Sequence, residues 1–157
     1  MMEIERKYLV NSIDYRSLAF SKSHIVQGFL NSNPERVVRV RIADDKAFLT
    51  VKGSSNAAGT TRFEWEKKIP VHEAKLLLEL CEEEILEKIR YYIKVGAHII
   101  EVDEFLGSNN GLVIAEIEIE KEDDNIEVPS WVGLEVTGDI KYYNSQLSKC
   151  PFKEWKV

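Results

Sequence analysis

The sequence predicts a mainly β fold of the α+β kind: a closed, eight-stranded antiparallel barrel with a polar tunnel and helices packed outside. Two observations lead there. Period-two alternation dominates the 157-residue chain, and its alternating segments are joined mostly by short polar turns. The polar faces of those segments also carry charge of both signs, sorted so that carboxylates gather on the first and last strands and cations on the middle ones.

The strands are predicted at Met2–Val10, 23–31, 35–44 and 46–53, with Asp44-Asp45 as a hairpin turn between the last two. The GSSNAAG loop at 53–59 follows, and alternation resumes over 60–69. Pro70 opens a helix to Cys81, with Ala74, Leu77, Leu78 and Cys81 at helical spacing on one face. Strands at 85–95 and His98–Phe105 meet at Gly96, and a GSNNG turn precedes the strand at 112–121. Weaker helical signals lie at 12–20 and 142–149. There is no internal repeat or linker, so residues 1–157 are expected to form one domain.

In an ordinary half-buried strand the polar face is simply solvated. Here the repetition is too regular for that. Glu3, Glu5 and Lys7 share one face of the first strand, Arg39 and Arg41 one face of the third, and Thr50 and Lys52 one face of the fourth. Arg62, Glu64 and Glu66 line up on the fifth; Lys88, Arg90, Tyr92 and Lys94 on the sixth; Glu101 and Asp103 on the seventh; Glu116, Glu118 and Glu120 on the eighth. Val38, Val40 and Ile42, Phe48, Leu49 and Val51, Phe63 and Trp65, Ile89, Tyr91 and Ile93, and Ile117 and Ile119 are assigned to the opposite faces. The long helix and the C-terminal helix each need an apolar sheet surface. If they cover the outside, the charged faces point into the bore.

The totals exclude several classes. Net charge is −6, from 21 basic and 27 acidic residues, which disfavours nucleic acid and anionic lipid as partners. Cys81 and Cys150 belong to no metal-binding or disulfide pattern and read as small buried hydrophobes. His24, His72 and His98 are scattered, and no P-loop, dinucleotide fingerprint or nucleophile elbow is present. No apolar run of about 18 residues could span a bilayer and no signal peptide opens the chain, so the expected location is the cytoplasm.

The charged bore suits phosphoryl chemistry. Glu3, Glu5, Glu116 and Glu118 offer oxygen ligands to one or two Mg²⁺ or Mn²⁺ ions, and Glu120 continues their face. Across the bore Arg39, Arg41, Lys52, Lys88 and Arg90 present donors to phosphate oxygens.

These residues resemble the CYTH superfamily, the triphosphate tunnel metalloenzymes. The resemblance rests on Glu3-Ile4-Glu5-Arg6-Lys7 as the ExExK hallmark. It continues through Gln27-Gly28-Phe29-Leu30, Arg39-Val40-Arg41, Leu49-Thr50-Val51-Lys52-Gly53, Glu87-Lys88-Ile89-Arg90-Tyr91, Glu101-Val102-Asp103, Ala115-Glu116-Ile117-Glu118 and Tyr142-Tyr143-Asn144. It implies an eight-stranded tunnel that binds triphosphates with Mg²⁺ or Mn²⁺. It further implies Glu3, Glu5, Glu116 and Glu118 at the metal, and Lys7, Arg39, Arg41, Lys52, Arg62, Lys88 and Arg90 at the phosphates. Lys7 and Glu5 are the expected catalytic residues, with Glu64, Glu66, Glu101, Asp103 and Glu120 lining the rest of the tunnel. Small bacterial members most resemble inorganic triphosphatases, and the family leaves a homodimer open. Class IV-type adenylyl cyclase, hydrolysis of thiamine or nucleoside triphosphates, and a non-catalytic polyphosphate-binding module stand as alternatives. One departure is Phe29, where small bacterial triphosphatases often carry a tyrosine whose hydroxyl is a candidate for orienting the attacking water.

Overall fold

The computed structural model describes residues 2–155. Its strands are β1 (Met2–Val10), β2 (Ser21–Asn31), β3 (Arg36–Ala43), β4 (Lys46–Ser55), β5 (Thr61–Ile69), β6 (Glu82–Val95), β7 (His98–Phe105), β8 (Val113–Glu118) and β9 (Val132–Glu135). The helices are short: α1 (Tyr15–Leu18), α2 (Val71–Leu78) and α3 (Asn144–Leu147). Eight strands close a ring in the order β1-β5-β4-β3-β2-β6-β7-β8 and back to β1, every pairing antiparallel.

β9 lies outside that ring and went unpredicted. It pairs with the far end of β1, Tyr8 opposite Glu135 and Val10 opposite Val132, while residues 2–4 of β1 pair with β5. One edge of β1 therefore serves two partners in turn. With only four residues and little alternation, β9 has no signal of its own.

Directly opposed residues in an antiparallel pair share a face. Arg39 stands opposite Thr50, Thr50 opposite Glu66, and Lys52 opposite Glu64. Glu3 faces Arg62, Lys7 faces Glu116, Glu116 faces Glu101, and Arg90 faces Asp103. The register thus carries one charged face around the whole barrel. Phe48 is a correction: it stands opposite Arg41 and Lys68 and so shares the charged face, with the Arg41 guanidinium 5.8 Å from its ring centroid. Phe48 and Leu49 are consecutive and cannot both face outward.

Outside, α2 lies on β2, β3 and β4 through Ala74, Leu77 and Leu78, against Val40, Ala47, Ile42 and Leu49. The helix ends at Leu78, short of the expected Cys81, which packs in the same cluster from the segment that follows. Its fit depends on Gly28. A Cβ there would meet Ile85 Cδ1 at 2.7 Å and Cys81 Sγ at 2.9 Å, distances that real side chains do not tolerate. Cys81 is thus a small packing residue, but Cys150 is exposed, contrary to the expectation of burial. A second outer cluster joins Tyr15 of α1 to Trp131, Ile93, Ile100, Val102, Ala115 and Ile117, and the Tyr15 hydroxyl donates to Glu104 at 2.9 Å.

The C-terminal helix does not cover the outer wall. At one end the inward faces become apolar with Phe29, Leu86, Phe105 and Ile114, and Val136, Tyr142, Leu147, Phe152 and Trp155 close over them. These inward apolar side chains would meet water in an open bore, and the returning chain covers them instead. Phe29 is part of this plug and only 2 % exposed. Gly59 and Gly138, with φ of 76° and 82°, pack back to back where the 53–59 loop meets the returning chain; a Cβ on Gly59 would fall 2.3 Å from the Gly138 Cα.

Leu147, wholly buried in the plug, anchors this chain. Leu147→Ala should cost about 2–5 kcal/mol in urea denaturation, the range for emptying a packed leucine site. A loss close to zero would mean that the C-terminal chain is not docked in solution.

Candidate active site in a mixed-charge bore

The register above concentrates the charged side chains around a cavity of about 240 Å³, where seven carboxylates face seven cationic side chains. Of the predicted site residues, Glu3, Glu5, Lys7, Arg39, Arg41, Lys52 and Arg62 line it, as do Glu64, Glu66, Lys88, Arg90, Glu101, Glu116 and Glu118. Two do not. Asp103 lies beneath the lining with no exposure, its carboxylate taken by Lys88 at 2.8 Å and by Arg90 at 2.7 and 2.9 Å. Glu120 lies past the end of β8, is exposed, and borders a separate recess with Glu101 and Glu118. Alternation had carried it into the bore because the strand was expected to run on to 121; its backbone N–H instead donates to Asp124 in a turn.

The cationic wall is held from behind. Asp103 fixes Arg90 by a two-point contact, and Arg90 reaches Glu116 at 3.1 Å and Glu101 at 3.2 Å. Burial pushes the Lys88 amine down to about 8 against the opposing pull of Asp103. Arg39 bonds Thr50 at 3.1 Å, and the Thr50 hydroxyl donates to Glu66 at 2.8 Å. The positive charge of Arg39, together with burial, lowers Arg41 to about 10. The Nε atoms of Arg39 and Arg41 are buried without a hydrogen-bond partner. Arg62 is spent differently, donating to the Gly53 and Pro34 carbonyls at 3.0 and 3.3 Å near the mouth.

The acidic wall is unevenly satisfied. Lys52 holds Glu3 at 3.0 Å and Glu64 at 3.2 Å. Burial works against ionisation of Glu116, but Lys7, Arg90 and Lys88 outweigh it and keep this carboxyl well below the usual range. Glu5 has the opposite fate. It faces the bore opposite Glu118 with none of the ion pairs its neighbours make, and burial, Glu116 and Glu3 push its carboxyl well up. Burial and the charges of Glu3 and Glu101 raise Glu118 too.

Those strained carboxylates bear on a divalent cation. Among the described residues no three acidic, histidine or cysteine side chains are already gathered around one point. Glu5 and Glu118 nevertheless form an oxygen donor set with uncompensated negative charge, which a hard divalent cation would relieve. The chemistry of the set fits such an ion.

The cavity is also lined by residues not predicted for the site, Ser55, Thr60, Thr137, Tyr143, Asn144 and Ser145 among them, and Phe29 borders it as well. Tyr143 and Asn144 arrive on the returning C-terminal chain, with the Lys7 ammonium 5.3 Å from the Tyr143 ring centroid and bonded to the Tyr142 carbonyl at 3.3 Å. The Tyr142-Tyr143-Asn144 run was visible in the sequence, but nothing local said it would enter the bore.

Fold and site define the class: a closed β-barrel whose bore, and not its surface, holds an ordered set of opposed charges. The CYTH domain model matches residues 1–149, and the chain belongs to that family. It is 48 % identical over 155 residues to an inorganic triphosphatase of Acetivibrio thermocellus, covering 98 % of this chain and 97 % of that one. It also superposes on the crystal structure of the inorganic triphosphatase NE1496 with a TM-score of 0.67 and 30 % identity, over 93 % of each chain. A protein of Pyrococcus horikoshii, PH1012, shares the fold at 19 % identity and a TM-score of 0.61, over 77 % of this chain and 80 % of that one.

The two acidic environments make opposite predictions without metal. Glu5 has a raised folded pKa, so its contribution to stability is present below the ordinary carboxylate range and is lost as pH rises through the raised value. Near neutral pH, Glu5→Gln should therefore leave the metal-free melting temperature unchanged or higher. Glu116→Gln strips a partner from Arg90 and Lys7 and should lower it. Thermal melts in chelator compare the two; equal losses would refute the contrast.

Proposed function

We propose that this chain hydrolyses inorganic triphosphate to pyrophosphate and phosphate with the help of Mg²⁺ or Mn²⁺. The observation that carries the reading is the set of opposed charges around one cavity, in which Arg39 and Arg41 stand side by side on β3 with only long ion-pair contacts, to Glu66 at 3.5 and 3.6 Å. Guanidinium groups in that position are matched to phosphate oxygens. The names of the Acetivibrio thermocellus relative and of NE1496 support the same substrate.

In this reading Arg39, Arg41, Lys52, Lys88 and Arg90 hold the phosphates, with Arg62 at the mouth. Glu3, Glu5, Glu116 and Glu118 would hold the cation, which neutralises phosphate charge and polarises the phosphoryl oxygens. Lys7 is held between the Tyr142 carbonyl and Glu116 and orients the attacking water. Water adds to the terminal phosphorus, the bridging P–O bond breaks, pyrophosphate leaves, and one proton is released. Glu5 would take part in this step as a ligand of the cation, in the same cavity as Lys7. Phe29 packs in the plug and offers no hydroxyl, so the orienting role falls to Lys7.

Phosphate release from tripolyphosphate and from ATP, measured side by side with Mg²⁺ and with Mn²⁺, tests the activity. Orthophosphate from tripolyphosphate is the expected result; binding without turnover would leave a polyphosphate-binding module, and cyclic AMP from ATP would make it a cyclase. Arg41→Ala should weaken tripolyphosphate binding by about 10-fold or more in calorimetry, the worth of a charge-assisted contact. Unchanged affinity in both Arg41→Ala and Arg39→Ala would remove the arginines from the site.

A further inference from the structure

The returning C-terminal chain brings a neutral amide to the phosphate wall. Lys88 is 1 % exposed, and its ammonium has three hydrogens to place. One goes to Asp103 at 2.8 Å and one to Asn144 Oδ1 at 2.9 Å. Lys88 lines the cavity, so the third remains for a ligand there.

The same contact fixes which way Asn144 points. Oxygen and nitrogen of an amide are interchangeable by shape alone, but an ammonium only donates, so the atom beside Lys88 must be oxygen. Gln27 donates to that same Oδ1 from Nε2 at 2.8 Å, which locks the amide from a second side. Gln27 is itself fully buried, and its Oε1 has no partner, so the local network spends its donors on Asn144. With Oδ1 doubly engaged, the Asn144 amide nitrogen is the free end. Asn144 lines the cavity beside Lys88, and through Gln27, the cross-strand partner of Arg41, it adjoins the arginines of β3.

We propose that Asn144 is a substrate-binding residue: its carbonyl holds Lys88 in place, and its NH₂ donates to an oxygen of the bound polyphosphate. The inference rests on the polyphosphate reading of this bore and adds to it a contact from outside the barrel strands. A neutral donor has a use here. It adds a hydrogen bond to phosphate without adding another cation next to Lys88 and Arg90, whose mutual repulsion already weighs on Lys88. It also ties substrate binding to docking of the C-terminal chain, because Asn144 opens α3, whose Leu147 anchors the plug.

The test is calorimetric titration of the full-length protein with tripolyphosphate, with thermal melts confirming that each variant is folded. Asn144→Asp has the same shape and keeps an oxygen for Lys88 and Gln27, but replaces the NH₂ by a carboxylate oxygen that repels phosphate. Asn144→Ala removes both ends, and Asn144→Ser takes its place if the alanine variant does not fold. A loss of affinity of about 10-fold or more is expected in the aspartate variant and in its companion, in line with a hydrogen bond to a charged group. Wild-type affinity in either variant overturns the assignment, and for Asn144→Asp it would leave Asn144 as a holder of Lys88 alone. Failure of the unaltered protein to bind tripolyphosphate would instead overturn the polyphosphate reading itself, so the two failures are distinguishable.

Discussion

Asp103 is the residue on which the charged bore depends. It has no solvent exposure, and it compensates two cations at once, Lys88 at 2.8 Å and Arg90 at 2.7 and 2.9 Å. Removing charges from water costs several kcal/mol per ion unless geometry and remaining hydrogen bonds make good the loss. Burial opposes the ionisation of Asp103, yet Arg90 and Lys88 hold its carboxyl below the usual range. With its rear anchored, Arg90 can extend to Glu116 and Glu101 on the next strands, and Lys88 to the C-terminal chain. A barrel filled with charge remains a stable core only because its deepest layer is neutralised in this way.

That layer also explains what the sequence could and could not disclose. Alternation of charged and apolar residues reveals which face a strand residue occupies, because the side-chain period in a strand is two. It therefore placed Glu3, Glu5, Lys7, Arg39, Arg41, Lys52, Lys88, Arg90, Glu116 and Glu118 on a common bore wall, as the structure does. Depth along the bore is not encoded in alternation. Asp103 and Glu101 have the same parity on β7, yet one is a buried brace and the other lines the cavity. Glu120 has the parity of Glu118 but lies beyond the strand's end, where a turn has taken over. The apolar inward stretch of Phe29, Leu86, Phe105 and Ile114 contradicts the picture of a bore polar throughout, and each of its members is an unremarkable core residue when read alone. Asn144 was invisible as a site residue for a related reason. Its position depends on a contact with Gln27 across 117 residues of chain, which no local pattern carries.

Charge in the cavity is balanced in number but not in satisfaction. On the cationic wall, Arg39 and Arg41 have only long ion-pair contacts, to Glu66 at 3.5 and 3.6 Å, and the charge of Arg39 together with burial lowers Arg41 to about 10. On the acidic wall, burial and neighbouring carboxylates raise Glu5 and Glu118, and burial raises Glu3 in spite of Lys52, while Lys7 and Arg90 hold Glu116 low. The two walls thus have unmet needs of opposite sign. A simple anion would relieve only the arginines and would worsen the field at Glu5. A simple cation would relieve only the carboxylates. A polyphosphate accompanied by a divalent cation answers both, presenting oxygens to Arg39 and Arg41 and positive charge to Glu5 and Glu118. Because the lining has equal numbers of each sign, net attraction cannot select the ligand; the separation of the two unmet walls across the bore can. Selectivity of this kind asks for rigid walls, since a flexible bore would let the unpaired groups find one another. Closure of the barrel, the Asp103 brace and the apolar plug each restrict that collapse.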